Sequence, residues 1–160
     1  MESADARNMK RLMNEGENIA LLPGGFNEAA LFARDKHRVF IKSRKGFIKY
    51  ALQYGYSLRV CYAFGEEKTY KTINVFEKFR MWMANNSMPP VVFFSKFGVL
   101  PYDNCDIMVV CDEPLQLPKI ENPSREQVDL WHGKYVAALV GLFDEYKGRY
   151  AKADSVLEVN

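Results

Sequence analysis

Two apolar runs, Asn18-Ile-Ala-Leu-Leu22 and Leu58-Arg-Val-Cys-Tyr-Ala-Phe64, decide how this chain is expected to fold. Each is apolar at successive rather than alternate positions, as in an interior strand covered by helices on both sides. Pro23-Gly24-Gly25 breaks the first and Gly65 the second, residues that end strands and turn the chain. Working outward, 91–94 and 107–111 are further strand candidates, and 37–41 is a weaker one that also reads as loop. Between them lie helical patterns. Met9 to Asn14 reads as the end of a helix stopped at Gly16, and Ser43 to Tyr54 as a helix with Ser43 as its cap and Gly55 as its stop. Residues 69–85 place Ile73, Phe76, Trp82 and Met83 on one broad apolar face, ended by Asn85-Asn86 and Pro89-Pro90.

The longest helix opens on a capping box, Ser124-Arg-Glu-Gln127. Val128, Trp131, Tyr135, Ala138, Leu139, Leu142, Phe143 and Tyr146 then recur at helical spacing, a stripe that reads as core packing. Strands separated by helices give an α/β fold, a mostly parallel sheet flanked by helices, in a single domain over 1–160.

With 160 residues, 48% of them hydrophobic, the chain can bury one core and is too short for two comfortable domains. A formal net charge of +2 argues against nucleic acid as a partner, since such binding rests on many phosphate contacts. Cys61, Cys105 and Cys111 lack C-x-x-C spacing and sit in apolar stretches, so they are expected to be buried free thiols in a reducing compartment. His37 and His132 have no ligand partner at a metal-binding spacing, and no metal site is expected. No apolar run reaches the roughly 18 residues of a spanning helix. The polar first residues, Met1 to Arg11, do not read as a secretory signal.

Three segments carry chemistry. Leu21-Leu-Pro-Gly-Gly-Phe-Asn-Glu28 sets Gly24, Gly25 and Glu28 just past a buried strand, where open α/β sheets bind ligands; spacing alone favours an ordinary turn with Glu28 solvated at a helix start. Lys42-Ser-Arg-Lys-Gly-Phe-Ile-Lys49 places Arg44, Lys45 and Lys49 beside a helix start, a cradle for phosphates or a solvated charged face. Tyr62-Ala-Phe-Gly-Glu66 ends the second strand, so Gly65 and Glu66 are expected on the same rim as Gly24 and Gly25, with Glu28 facing it.

Pro23-Gly-Gly-Phe-Asn-Glu-Ala29, Arg44-Lys-Gly-Phe-Ile-Lys-Tyr-Ala51, Tyr62-Ala-Phe-Gly-Glu66 and the tail from His132-Gly-Lys-Tyr135 to Leu157-Glu-Val-Asn160 resemble, in the same order, blocks of the type-2 diacylglycerol acyltransferases. The resemblance implies a partial glycerolipid-acyltransferase-like domain that moves an acyl group from acyl-CoA, a co-substrate and not a bound cofactor, to diacylglycerol or a similar lipid alcohol. It implies the cytosolic face of the endoplasmic reticulum membrane, reached through upstream segments. It also implies that Gly24, Gly25 and Glu28 belong to the block corresponding to the P-E-G-T-R acceptor segment of glycerol-phosphate acyltransferases. Here Ala29 and Ala30 follow Glu28 and the phosphate-holding arginine is absent, which suits a neutral alcohol. Arg44, Lys45 and Lys49 are then expected to hold the coenzyme A phosphates, with Gly65 and Glu66 on the substrate rim.

The family's H-P-H-G motif, whose histidine is the proposed base, is not in this sequence: His37 lies in Lys36-His-Arg and His132 in Trp131-His-Gly. No catalytic residue is therefore assigned, and the chain alone is expected to be weak or inactive. The competing readings are a noncatalytic acyl-CoA- or lipid-binding protein and a fragment of such an enzyme.

Overall fold

The computed structural model describes residues 5–72, 76–86, 88, 90–91, 93–95, 98, 100–102 and 105–160. Its elements in chain order are α1 (Ala6–Asn14), α2 (Gly25–Leu31), β1 (His37–Val39), α3 (Gly46–Tyr54), β2 (Ser57–Leu58) and β3 (Cys61–Phe64). A 3-10 turn (Glu66–Lys68) follows, then β4 (Lys71–Thr72), α4 (Glu77–Asn85), β5 (Phe93–Phe94), β6 (Met108–Cys111), β7 (Leu115–Gln116), α5 (Arg125–Tyr150) and β8 (Leu157–Val159).

Helix α5 organises the packing. Its capping box forms as the sequence requires: the Gln127 N–H donates to the Ser124 hydroxyl at 3.3 Å, and the Ser124 N–H donates to the Gln127 side chain at 2.8 Å. Such a cap is typically worth about 1 kcal/mol. From that start the apolar stripe crosses two clusters. Val128 packs with Ile48, Ala51, Leu52 and Leu117, and Leu139, Leu142 and Phe143 pack with Val39, Ile41, Val60, Phe64, Val110 and Leu157. Phe143 and Phe64, both fully buried, stack at 5.4 Å. Helix α3 stops at Gly55 as expected: Gly55 is left-handed, and the Tyr56 N–H closes back on the Ala51 carbonyl at 2.9 Å, a glycine-dependent helix end. Ser43 is not its cap; Lys45 holds that position without a side-chain cap bond.

The sheet arrangement corrects the mostly parallel expectation. Among the described residues four two-stranded sheets form, β1-β8, β2-β7, β3-β6 and β4-β5, and only β1-β8 is parallel. The physical reason lies in the open face of β3-β6. A parallel sheet must be covered on both sides, whereas an antiparallel pair can leave one side to solvent, and here Phe64 and Val110 face the core while Cys61 and Val109 are exposed. Apolarity on both faces signalled an exposed apolar side, not a second layer of helix.

Residues 18–22 form no strand, and Leu22 is 89% exposed. Just before this stretch, the Tyr56 hydroxyl donates to the Glu17 carbonyl at 3.0 Å.

The helix expected over 69–85 is shortened to α4, with the 3-10 turn and β4 taking the chain before it; Ile73 lies outside the described residues. Its aromatic face is not core. Phe76, Phe79 and Trp82 are exposed, Phe79 and Trp82 stack at 5.7 Å, and Arg80 and Ala84 are the buried residues.

Cys61 and Cys111 face each other across β3-β6 and form a disulfide, so the expectation of buried free thiols fails for both. They occupy directly opposed positions on the exposed side of the ladder, where side chains come closest together. Cys105 stands outside that disulfide, half-buried, its thiol donating to the Lys68 carbonyl at 3.2 Å.

Candidate functional site

Pro23-Gly24-Gly25 turns the chain into α2, with Gly24 at its N-cap and Glu28 in its first turn. Glu28 is not solvated. Its side chain folds back over Gly24, where any Cβ would overlap the carboxylate, and Oε2 accepts the Phe40 N–H at 3.0 Å. Burial is the main force raising the Glu28 pKa; the Phe40 hydrogen bond opposes it, and the nearby Glu66 carboxylate adds to it. The Glu28 turn and the Gly65-Glu66 turn are thus within electrostatic reach of each other.

Gly65 is left-handed at φ 90°, and a Cβ there would strike the Asp106 carbonyl oxygen, so this close approach of two backbones needs glycine. The turn it makes delivers Glu66 outward and Glu67 inward. Glu67 Oε2 accepts the Gly65 N–H at 2.9 Å and lies 4.0 Å from His37 Nδ1, too far for a hydrogen bond. His37 Nδ1 instead meets the Tyr62 hydroxyl at 3.1 Å. Burial lowers the His37 pKa, opposed by the Glu67 charge, so the ring is neutral at physiological pH. Tyr62 is pushed up by burial and then by the carboxylates of Glu67, Glu66 and Glu28; Tyr135, on α5, is raised by burial and Glu28. Two protonated tyrosines therefore share a neighbourhood with a half-buried Glu28, an arrangement able to orient a hydroxyl-bearing molecule by hydrogen bonds.

The basic segment is dispersed. Arg44 Nη2 donates to Asn27 Oδ1 at 2.6 Å, and Asn27 in turn donates to Asn85 Oδ1 at 2.8 Å, so Arg44 ties the start of α3 to α2 and α4. Its guanidinium lies 5.3 Å from the Phe40 ring, and its Nε is buried without a hydrogen-bond partner. Lys45 reaches across to Asp129 on α5 at 2.7 Å. Lys49 and Gly25 are exposed. Of the residues singled out from sequence, Gly24 packs under Glu28, Glu28 is within electrostatic reach of Glu66 in the Gly65 turn, Arg44 reaches the Glu28 surroundings through Asn27 and Phe40, and Lys45 and Lys49 do not.

His37, Glu67 and the Tyr62 hydroxyl were not singled out. The buried positions His37 and Val39 flanking half-buried Arg38 are a period-two signal that a short strand turns His37 inward. His132 is structural: its buried Nε2 donates to the Ile41 carbonyl at 3.0 Å.

Comparison with known proteins follows the same blocks. A family model described as "Diacylglycerol acyltransferase" matches residues 3–160. Diacylglycerol O-acyltransferase 2 of Bos taurus is 34% identical over 160 aligned residues, covering 91% of this chain and 44% of the relative. The same-named protein of Xenopus tropicalis is 37% identical, covering 90% and 44%. Acyl-CoA wax alcohol acyltransferase 2 of Mus musculus is 34% identical, covering 88% and 45%. The chain thus spans less than half the length of these relatives. No solved structure matches.

Proposed function

The chain belongs to the diacylglycerol acyltransferase family, and from that premise we propose that it forms part of an O-acyltransferase site that moves an acyl group from acyl-CoA to diacylglycerol or a similar lipid alcohol. The observation that carries this reading is the grouping of Gly24, Glu28, Gly65 and Glu66 with Tyr62 and Tyr135, residues from separated blocks of the family match. Glu28 and the tyrosine hydroxyls orient the lipid alcohol. Exposed Gly25 leaves room for it, Gly24 admits the folded-back Glu28 side chain, and Gly65 and Glu66 belong to the same rim. Arg44, with one buried N–H unused, takes a coenzyme A phosphate; Lys45 and Lys49 contribute more weakly, Lys45 after releasing Asp129. The general base comes from outside this sequence, because His132 is committed to Ile41 and His37 is set into the core against Tyr62.

The expected cellular setting is the cytosolic face of the endoplasmic reticulum membrane. Among the described residues no helix is long and apolar enough to cross a membrane.

The engagement of both histidines also favours a second reading, a noncatalytic acyl-CoA- or lipid-binding protein. The test is acyl-CoA binding by the folded protein at two salt concentrations, with Arg44→Ala and Lys45→Ala beside the wild type. Loss of one charge-assisted hydrogen bond should weaken binding about ten- to a hundred-fold in Arg44→Ala and reduce the salt dependence. Unchanged affinity in both variants would leave the basic segment as internal scaffolding. Binding without turnover would select the second reading.

A further inference from the structure

On the far side of His37 from the core, a cavity of about 320 Å3 opens between the turn before β1, the 3-10 turn and the carboxyl end of α5. His37 and Glu67 form its buried part, while Arg149 and Lys152 are exposed. Its charges are not all balanced internally. Glu67 uses Oε2 on the Gly65 N–H and has Oε1 4.0 Å from Lys68 Nζ, so that pair is largely self-compensating. Arg149 lies over the Tyr150 ring at 5.2 Å, and among the described residues neither Arg149 nor Lys152 has a carboxylate partner. Against them stand Asp35 and the negative end of the α5 dipole, roughly half a charge.

Hydrogen-bond inventory decides the ligand better than net charge does. The Tyr62 hydroxyl and His37 Nδ1 lie 3.1 Å apart and satisfy each other, so neither is counted toward a ligand. Arg149, Lys152 and the Ser155 hydroxyl bring donors to the cavity from the end of α5 and the segment after it. A ligand that satisfies them must present acceptor oxygens in several directions, which a tetrahedral phosphate does and a planar carboxylate does not. The volume lies at the small end of the roughly 300–1,000 Å3 usual for ligand sites, and the polar lining does not suit an acyl chain.

We propose that this cavity is a phosphate-binding site, with Arg149 and Lys152 holding the phosphate oxygens and Ser155 completing the donor set. The cavity meets the Glu28 neighbourhood through the Tyr62–His37 contact, and the proposal stands whether or not the acyl-transfer reading holds. The phosphate can belong to a free anion, to coenzyme A or to a phospholipid headgroup.

The test is isothermal titration of the intact chain with inorganic phosphate and with coenzyme A, together with sedimentation on phosphatidylcholine vesicles with and without phosphatidic acid. At least one phosphate-bearing probe binds saturably, and the Arg149→Ala/Lys152→Ala double variant weakens it by about ten-fold or more. Arg125→Ala/Lys134→Ala removes the same charge from the other half of α5 and leaves that binding intact. Circular dichroism of both double variants establishes that they fold, as exposed positions should allow. The strongest probe identifies the source: phosphate alone, coenzyme A, or the phosphatidic acid vesicle. Absence of saturable binding to every probe overturns the proposal, as does equal weakening by the two double variants.

Discussion

Glutamine and alanine at position 28 separate the charge of Glu28 from its hydrogen bond. The carboxylate accepts the Phe40 N–H at 3.0 Å while burial, the largest influence, raises its pKa above the ordinary 4.5. A carboxyl whose folded pKa is raised binds more protons folded than unfolded, so stability falls as pH climbs from the unfolded value through the folded one, and stays lowered above it. Below about pH 4.5 the group contributes no such penalty. Glu28→Gln keeps an acceptor for Phe40 and removes the charge. It should therefore melt higher than wild type at pH 7, with the gain shrinking toward pH 4. The favourable effect of a charge in the first turn of α2 works the other way, by roughly 0.3–1 kcal/mol on an exposed helix, but α2 is short and burial ranks first.

Glu28→Ala instead strands the Phe40 N–H, a loss of about 1–3 kcal/mol for a buried donor. For a chain of this size each kcal/mol moves the melting temperature by about 2–4 °C, giving a decrease of roughly 2–12 °C. That decrease is largest at pH 4, where no relieved charge offsets it. The assay is reversible thermal unfolding by circular dichroism from pH 4 to pH 7. A glutamine variant that melts below wild type at pH 7, or whose gain grows toward pH 4, refutes the account of a half-buried carboxylate under penalty.

Gly65→Ala should lose about 1–3 kcal/mol from its left-handed backbone alone, with more from the Asp106 carbonyl in its path; a urea midpoint within error of wild type contradicts this. His37, held below its ordinary 6.5 by burial, keeps the folded ring neutral while the unfolded ring protonates, so stability should drop as pH falls from about 6.5. Urea titrations between pH 5 and pH 7.5 should show that slope in the wild type and lose it in His37→Gln. Purified chain should form no measurable triacylglycerol from diacylglycerol and acyl-CoA, and robust turnover with host acyltransferases excluded would show that the base resides here.

What the sequence made legible was local. The capping box of α5 and the Gly55 stop of α3 depend on residues within a turn or two of each other, and the apolar stripe of α5 repeats at the helix period. Each is written in adjacent letters, and each forms as read. Strand direction is not local. Cys61 meets Cys111 and Ser57 meets Gln116 across long separations, and an apolar run carries no mark of its partner or the direction of pairing. The stretch 18–22 shows the extreme case, since its apolarity matches a central strand while it pairs with none and leaves Leu22 exposed.

The candidate site divides along the same line. Gly24 and Glu28 stand one helical turn apart, so the glycine that admits the folded-back carboxylate is visible as a spacing. The electrostatic surroundings of Glu28 are not visible, because Phe40, Glu66 and Tyr135 arrive from three other elements. Arg44 reads from sequence as a free cation near a helix start, yet Asn27 and Phe40 draw it inward, leaving its Nε buried and unpaired. A guanidinium fixed by one hydrogen bond and one ring, with a donor still unused, is already oriented, so an anion that meets it orders little further side chain. The same partners that remove Arg44 from the solvated face fix its side chain against α2, whereas Lys45 is turned to Asp129 on α5.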